Sequence, residues 1–146
     1  MVETLQVEIV TPEKLVVNDQ ASELTMPGKK GYLGILPGHA PLITELSVGE
    51  ISYRNASGQM KFLSVAWGFA EVLPNKITIL AEIAERAEDI DTARAERARL
   101  EAEAAIKAAG GKSEGDYSKA EADLARASTR IAVSKKVNSD VSNLAP

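Results

Sequence analysis

The stretch Ile77–Ala95, ITILAEIAERAEDIDTARA, changes structural code near residue 84. Its opening belongs to a short run, Lys76–Ala81, set off by the turn signal Pro74-Asn75, and reads as a strand. Beyond it the chain turns to Ala, Glu, Lys and Arg, which are strong helix formers. Glu88-Asp89-Ile90-Asp91 gathers acids where a helix start favours them and predicts Asp89 as the N-cap. The helix is expected to run to Ala109, where Gly110-Gly111 stops it. A second helix is expected from near Asp116, with Ser118-Lys-Ala-Glu121 as a capping box.

Toward the N-terminus, Leu5-Gln6-Val7-Glu8-Ile9 alternates apolar and polar residues, the period of a half-buried strand. Comparable runs follow at Lys14–Val17, Ala21–Met26, Leu42–Leu46, Glu50–Arg54, Met60–Val65 and Gly68–Val72. Turn signals at Asn18-Asp19, Pro27-Gly28, Pro37-Gly38 and Asn55–Gly58 separate them. Many short strands, with no helical segment long enough for a crossover, predict antiparallel sheets packed face to face. The expected fold is an N-terminal antiparallel β-sandwich over residues 1–86 and a two-helix antiparallel hairpin over 87–136. A frayed, flexible tail is expected over 137–146.

In the second helix Tyr117, Ala120, Leu124, Ala127 and Ile131 form one apolar stripe. The first offers Ile90, Ala93, Leu100 and Ala104 in the same rhythm. The large apolar side chains of residues 84–134 are only Ile90, Leu100, Ile106, Tyr117, Leu124, Ile131 and Val133. Their burial is set against the backbone entropy of ordering roughly fifty residues. The hairpin is therefore expected to be marginal alone, and to be captured by whichever surface or solute favours it.

At 146 residues the chain suits one ordinary domain, or a small domain with an appendage. No apolar run approaches the roughly 18 residues of a bilayer span, and Met1-Val2-Glu3 opens no signal peptide. Any membrane connection is expected to go through a partner. The lack of cysteine excludes disulfides, thiolate nucleophiles and Cys-based zinc sites. A net charge of −4 and few aromatic side chains weigh against nucleic acid.

The stretch Gly28–Pro41, GKKGYLGILPGHAP, reads as loop, short strand, loop on a stiff backbone. Its exposed tips, Lys29, Lys30, Tyr32 and His39, are either sandwich corners or a binding edge. His39, the only histidine, has no nucleophile or acid that the sequence places beside it, and reads as a structural or interface residue. A hydrolase using carboxylates such as Glu45, Glu50 and Glu71 lacks a spacing that pairs an acid with a base, so no catalytic residue is predicted.

Leu33–Leu42 (LGILPGHAPL), with Gly68–Val72 (GFAEV) and Ile77–Glu82 (ITILAE), strongly resembles the epsilon subunit of bacterial and chloroplast F-type ATP synthases. Glu88–Ala95 (EDIDTARA) and Asp116–Val133 (DYSKAEADLARASTRIAV) carry the likeness into the other half, so that it covers roughly residues 4–136. The resemblance implies a ten-stranded sandwich joined to a helix–turn–helix, acting as a non-catalytic rotor subunit at the foot of the central stalk. It implies contact with the gamma subunit and the c-ring, with Lys29, Lys30, Tyr32 and His39 at the contact edge. Tyr32 stands where relatives often carry an acidic residue facing the ring loops. The complex would lie at the cytoplasmic face of the bacterial plasma membrane, this chain being peripheral, and proton flow would be coupled to ATP formation on the alpha and beta subunits. The hairpin would fold against the sandwich or extend along gamma toward alpha and beta, where it inhibits ATP hydrolysis.

Some bacterial relatives hold ATP on the folded hairpin with the motif Ile/Leu-Asp-x-x-Arg-Ala, which Ile90-Asp91-Thr92-Ala93-Arg94-Ala95 matches. Glu85 upstream and Arg126 and Arg130 on the second helix complete the implied set, with ATP as a regulatory ligand and no cofactor required. Glu101 stands at a further position that is basic in the family, and Arg97 or Arg99 is available to replace it. Independently of any likeness, Arg126 and Arg130 are one turn apart and repel by about 0.2–0.5 kcal/mol unless an anion lies between them. Two guanidiniums also make a phosphate fork. The competing view is that Asp91–Arg94 and Asp123–Arg126 are merely i,i+3 surface pairs. Gly110-Gly111-Lys112-Ser113 imitates the end of a P-loop, but Ile106 stands where the leading glycine belongs and a helix replaces the required strand. The alternative function is a stand-alone ATP-sensing module whose hairpin closes on nucleotide; only a rotor subunit would copurify with gamma.

Overall fold

The computed structural model describes residues 3–109 and 114–142, with side chains as far as Val137. Strands β1 (Leu5–Val10), β2 (Leu15–Gly28), β3 (Gly31–Ile35), β4 (Leu42–Leu46), β5 (Gly49–Asn55), β6 (Met60–Leu73) and β7 (Lys76–Arg86) precede two helices, α1 (Thr92–Ala108) and α2 (Glu114–Ser142). Hydrogen bonding closes a circuit from β1 through β2, β5, β6 and β7 back to β1, and β3 and β4 extend it along β2 and β6. The sheet folded on itself in this way is the sandwich. Leu5, Val7 and Ile9 of β1 meet Leu24, Met26, Ile51, Ile77 and Ile79 in its interior, all essentially inaccessible.

Three expectations for the sandwich need correction. The sandwich has seven strands, fewer than the ten the resemblance implies, and β2 and β6 each run unbroken through two of the runs read from the sequence. Asn18-Asp19 is no turn: the pair lies in β2 opposite Glu8 and Val7, and the reversal comes earlier, where the Thr11 amide donates to the Lys14 carbonyl. β2 then changes neighbours from β1 to β5 and β3 across a register shift between Ala21 and Glu23. β6 changes from β5 to β4 at Trp67-Gly68, where φ is 54° and 149°. A Cβ on Gly68 would lie 2.0 Å from the Leu80 carbonyl oxygen, so only glycine fits this bend. The pairing is also not wholly antiparallel, since β1 and β7 run parallel.

After β7 a 3-10 turn, Ala87–Asp89, leads into Ile90, which is extended and buried with Ala87 and Val133, with Phe62 and Val137 packed against them. Burying Ile90 there delays the helix. Asp91, not Asp89, is the N-cap, and its carboxylate accepts from the Arg94 amide at 3.0 Å. The Gly110-Gly111 stop and the Gly110–Ser113 imitation of a P-loop lie outside the described residues. α2 starts slightly ahead of Asp116 and continues to Ser142, into the stretch read as a tail; residues 143–146 lie outside the described ones.

The α1–α2 seam is made mostly of alanine. Ala95, Ala102 and Ala109 are buried on one side, and Ala120, Ala127 and Ile131 on the other. On α1 this is not the expected stripe: Ala93 and Ala104 face solvent, and Leu100 is 57% exposed. Tyr117 of α2 is also open to solvent. Methyl groups let the backbones approach closely, whereas a leucine in the seam would hold them apart. Among the described residues no helix is long and apolar enough to cross a membrane.

Candidate functional site: a cleft between hairpin and sandwich

A cleft of about 1030 Å³ separates the hairpin from the sandwich. One wall is β7 around Glu82–Arg86 together with the β1–β2 turn, which brings Thr11, Glu13 and Lys14. The other is α1 with Arg94, Arg97 and Glu101, and α2 with Asp123, Arg126 and Arg130. Of the expected ATP residues, the structure therefore gathers Glu85, Arg94, Arg126 and Arg130 here. Ile90, Asp91 and Ala95 do not line the cleft. Ile90 anchors the hairpin, Asp91 caps α1 and Ala95 is buried in the seam.

Arg130 is nine-tenths buried, and its Nε lies 2.7 Å from Oε1 of Glu85 while Nη2 donates to Oε2 at 3.2 Å. The Nε–H is not aimed at the carboxylate and makes no hydrogen bond, so that contact is one of charge. Glu85, reaching across from β7, is thus the anion that lets Arg130 sit one turn from Arg126. Arg130 is engaged, and the half-buried Arg126 carries the unpaired half of the expected fork.

The other arginines divide cleanly. Arg54 pairs with Glu23, Arg86 donates to the Val16 carbonyl, and Arg99 is clamped by Glu96 and Glu103 at 3.0 and 2.9 Å. The guanidiniums of Arg94, Arg97 and Arg126 have no partner among the described residues, and all three line the same cleft. Neither proposed surface pair forms: the Asp91 carboxylate takes the backbone of Arg94, and Asp123 makes no ion pair with Arg126. Of the two candidates to replace the basic residue at the Glu101 position, Arg97 faces the cleft and Arg99 does not. Glu13, Glu82, Glu101 and Asp123 share the lining, so a ligand here must offer both anionic groups and hydrogen-bond donors. Among the described residues no cluster of His, Asp and Glu is arranged to hold a metal ion.

The second expected site splits in two. Lys29, paired with Glu45 at 3.1 Å, Lys30 and Tyr32 lie at the β2–β3 turn. The Tyr32 hydroxyl accepts from the Glu50 amide at 3.0 Å and lies over Gly49, where a Cβ would come within 2.7 Å of it. His39 lies beyond the other end of β3, with Nδ1 2.7 Å from the Ala40 carbonyl, beside Gly38, whose amide donates to Pro74 in the β6–β7 turn. The carboxylates of the hydrolase alternative are dispersed: Glu45 binds Lys29, Glu50 binds Lys136 and Glu71 is exposed on β6. Sequence reasoning missed Lys14, for which no local signal existed, and the contact of Lys136 with Glu50 at 2.7 Å and with the Phe62 ring at 5.0 Å.

Comparison with known proteins is consistent along the chain. Residues 4–87 match the family described as ATP synthase, Delta/Epsilon chain, beta-sandwich domain, and residues 88–135 match its long alpha-helix domain. The ATP synthase epsilon chain of Koribacter versatilis is 63% identical over 110 residues, covering 75% of this chain and 77% of that one. That of Geobacter sulfurreducens is 43% identical over 136 residues, covering 93% and 97%. A chain of the Euglena gracilis mitochondrial ATP synthase OSCP/F1/c-ring structure superposes with a TM-score of 0.76 over 88% of this chain and 80% of its own. At 20% identity that is a likeness of fold.

Proposed function

We propose that this chain, which belongs to the ATP synthase epsilon chain family, is a non-catalytic rotor subunit whose hairpin restrains ATP hydrolysis. In this role the sandwich binds gamma and the c-ring of a proton-translocating synthase, at the cytoplasmic face of a bacterial membrane. The hairpin leaves the sandwich to reach the alpha and beta subunits, and ATP in the cleft favours its return.

The observation that carries this is how little holds the hairpin down. Among the described residues its attachment to the sandwich rests on the small Ala87–Ile90–Val133 cluster with Phe62 and Val137 packed against it, the Arg130–Glu85 and Lys136–Glu50 ion pairs and the contact of Lys136 with the Phe62 ring, while α1 and α2 meet largely through methyl groups. An arm so attached is easily shifted between surfaces. ATP at about 100 times its dissociation constant would stabilise the docked form by roughly 2.7 kcal/mol. A complete inversion from 1:99 to 99:1 needs about 5.5 kcal/mol, so nucleotide biases the arm rather than locking it. The three partnerless arginines suit a triphosphate, and the acids beside them suit ribose hydroxyl and amine donors.

The test is the ATPase rate of the assembled complex with and without residues 88–146. A higher rate after truncation is expected, and an unchanged rate removes the restraining role. Calorimetric titration of the full chain with ATP tests the ligand, Arg126→Ala being expected to weaken binding. Failure to copurify with gamma would leave the stand-alone sensor instead.

A further inference from the structure

We propose that Lys14, on the β1–β2 turn, and Arg97, on α1, bind the phosphate chain from opposite walls of the cleft, so that the bound nucleotide ties sandwich to hairpin. This rests on the ATP reading above. Lys14 lines the cleft from the sandwich side, is exposed, and its ammonium has no partner among the described residues. Its backbone is held firmly: the Lys14 amide donates to Thr11 Oγ1 at 3.3 Å, and the Thr11 amide to the Lys14 carbonyl at 2.9 Å. Arg97 is equally unpartnered on the facing helix, although Glu101 stands one turn along and lines the same cleft. Two free cations from separate domains, with Arg94 and Arg126 lining the same cleft, give a polyanion contacts that exist together only while the hairpin is docked. Ligand affinity and docking are then a single coupled equilibrium.

Isothermal titration of the full chain with ATP and with AMP tests this. Lys14→Ala and Arg97→Ala are each expected to weaken ATP by about tenfold, the size of a lost charge-assisted hydrogen bond. AMP, which lacks the outer phosphates, should respond little to either change. Lys14→Arg should restore ATP binding, Arg99→Ala should leave it unchanged, and Glu101→Gln should strengthen it by a few-fold as a repelling charge is removed. Parent-like ATP affinity in both alanine variants overturns the proposal and leaves ATP binding itself standing. Equal weakening of AMP and ATP also overturns it, by placing the two residues away from the phosphate chain. Absence of ATP binding by the parent overturns both readings.

Discussion

Replacing Glu85 by alanine strands Arg130. The arginine side chain is only 10% exposed, and its counter-charge is Glu85, itself 27% exposed. Breaking a buried ion pair from one side costs about 3–5 kcal/mol, and an exposed pair is worth below about 1 kcal/mol. Arg130 stands near the first limit and Glu85 between the two, so the expected cost is about 2–3 kcal/mol. At about 1.4 kcal/mol per factor of ten, that moves the docking equilibrium roughly 30–150-fold. Arg130→Met should cost less, because it removes the buried charge and leaves Glu85 free to turn toward water. The double variant should then lie close to Arg130→Met alone rather than at the sum. Hydrogen exchange reads this directly. Amides around Ala127–Val133 of α2 should lose protection by the stated factor in Glu85→Ala, while those of Leu5, Val7 and Ile9 in β1 keep theirs. Unchanged protection of α2 in Glu85→Ala, or equal losses in the two single variants, would refute the claim that this carboxylate holds α2 to the sandwich.

Gly68→Ala should destabilise the sandwich by more than about 3 kcal/mol, because the new Cβ meets the Leu80 carbonyl at a positive φ; a parental thermal midpoint would contradict it. In the hairpin seam, Ala102→Leu should cost about 1–3 kcal/mol of docking by overpacking, while Leu100→Ala on the exposed face stays within about 0.5 kcal/mol. Exchange rates of α1 amides distinguish the two. Tyr53 donates to Asp19 at 3.1 Å; burial first, then the Asp19 charge and hydrogen bond, push its pKa well above the ordinary phenol value. The fold thus favours the neutral phenol, so its contribution is complete below about pH 10 and is lost as pH rises further. Alkaline ultraviolet titration should show one tyrosine ionising only with unfolding, and Tyr53→Phe should abolish that phase.

The sandwich was legible because burial writes itself into alternation: Leu5, Val7 and Ile9 point inward and Gln6 and Glu8 do not. What alternation does not record is where a strand changes partner. Asn18-Asp19 carries the chemistry of a turn, yet both residues lie in a continuous β2, since pairing with Glu8 and Val7 outweighs local turn preference. Trp67-Gly68 shows the reverse, a sharp bend inside one hydrogen-bonded strand. Strand count was therefore overestimated for the same reason that the topology closes: two long strands each serve two neighbours.

The cleft was half legible, and the α1 seam explains which half. Placing Leu100 in the apolar stripe follows from preferring the larger side chain, but close helix approach selects methyl groups, and the seam is Ala95, Ala102 and Ala109. At about 100° per residue, Arg94, Arg97, Ala98, Glu101 and Ala105 then fall on one flank of that seam, and Glu96, Arg99 and Glu103 on the other. The first set is the cleft wall, and the second is a self-satisfied surface network. Taking Leu100 as the buried face turns α1 nearly half a revolution, which is why Arg97 and Arg99 stood as equal candidates. The partnerless state of Arg97 follows from the seam: the helix face that must stay clear of α2 for the alanines to meet is the face left holding unpaired charge.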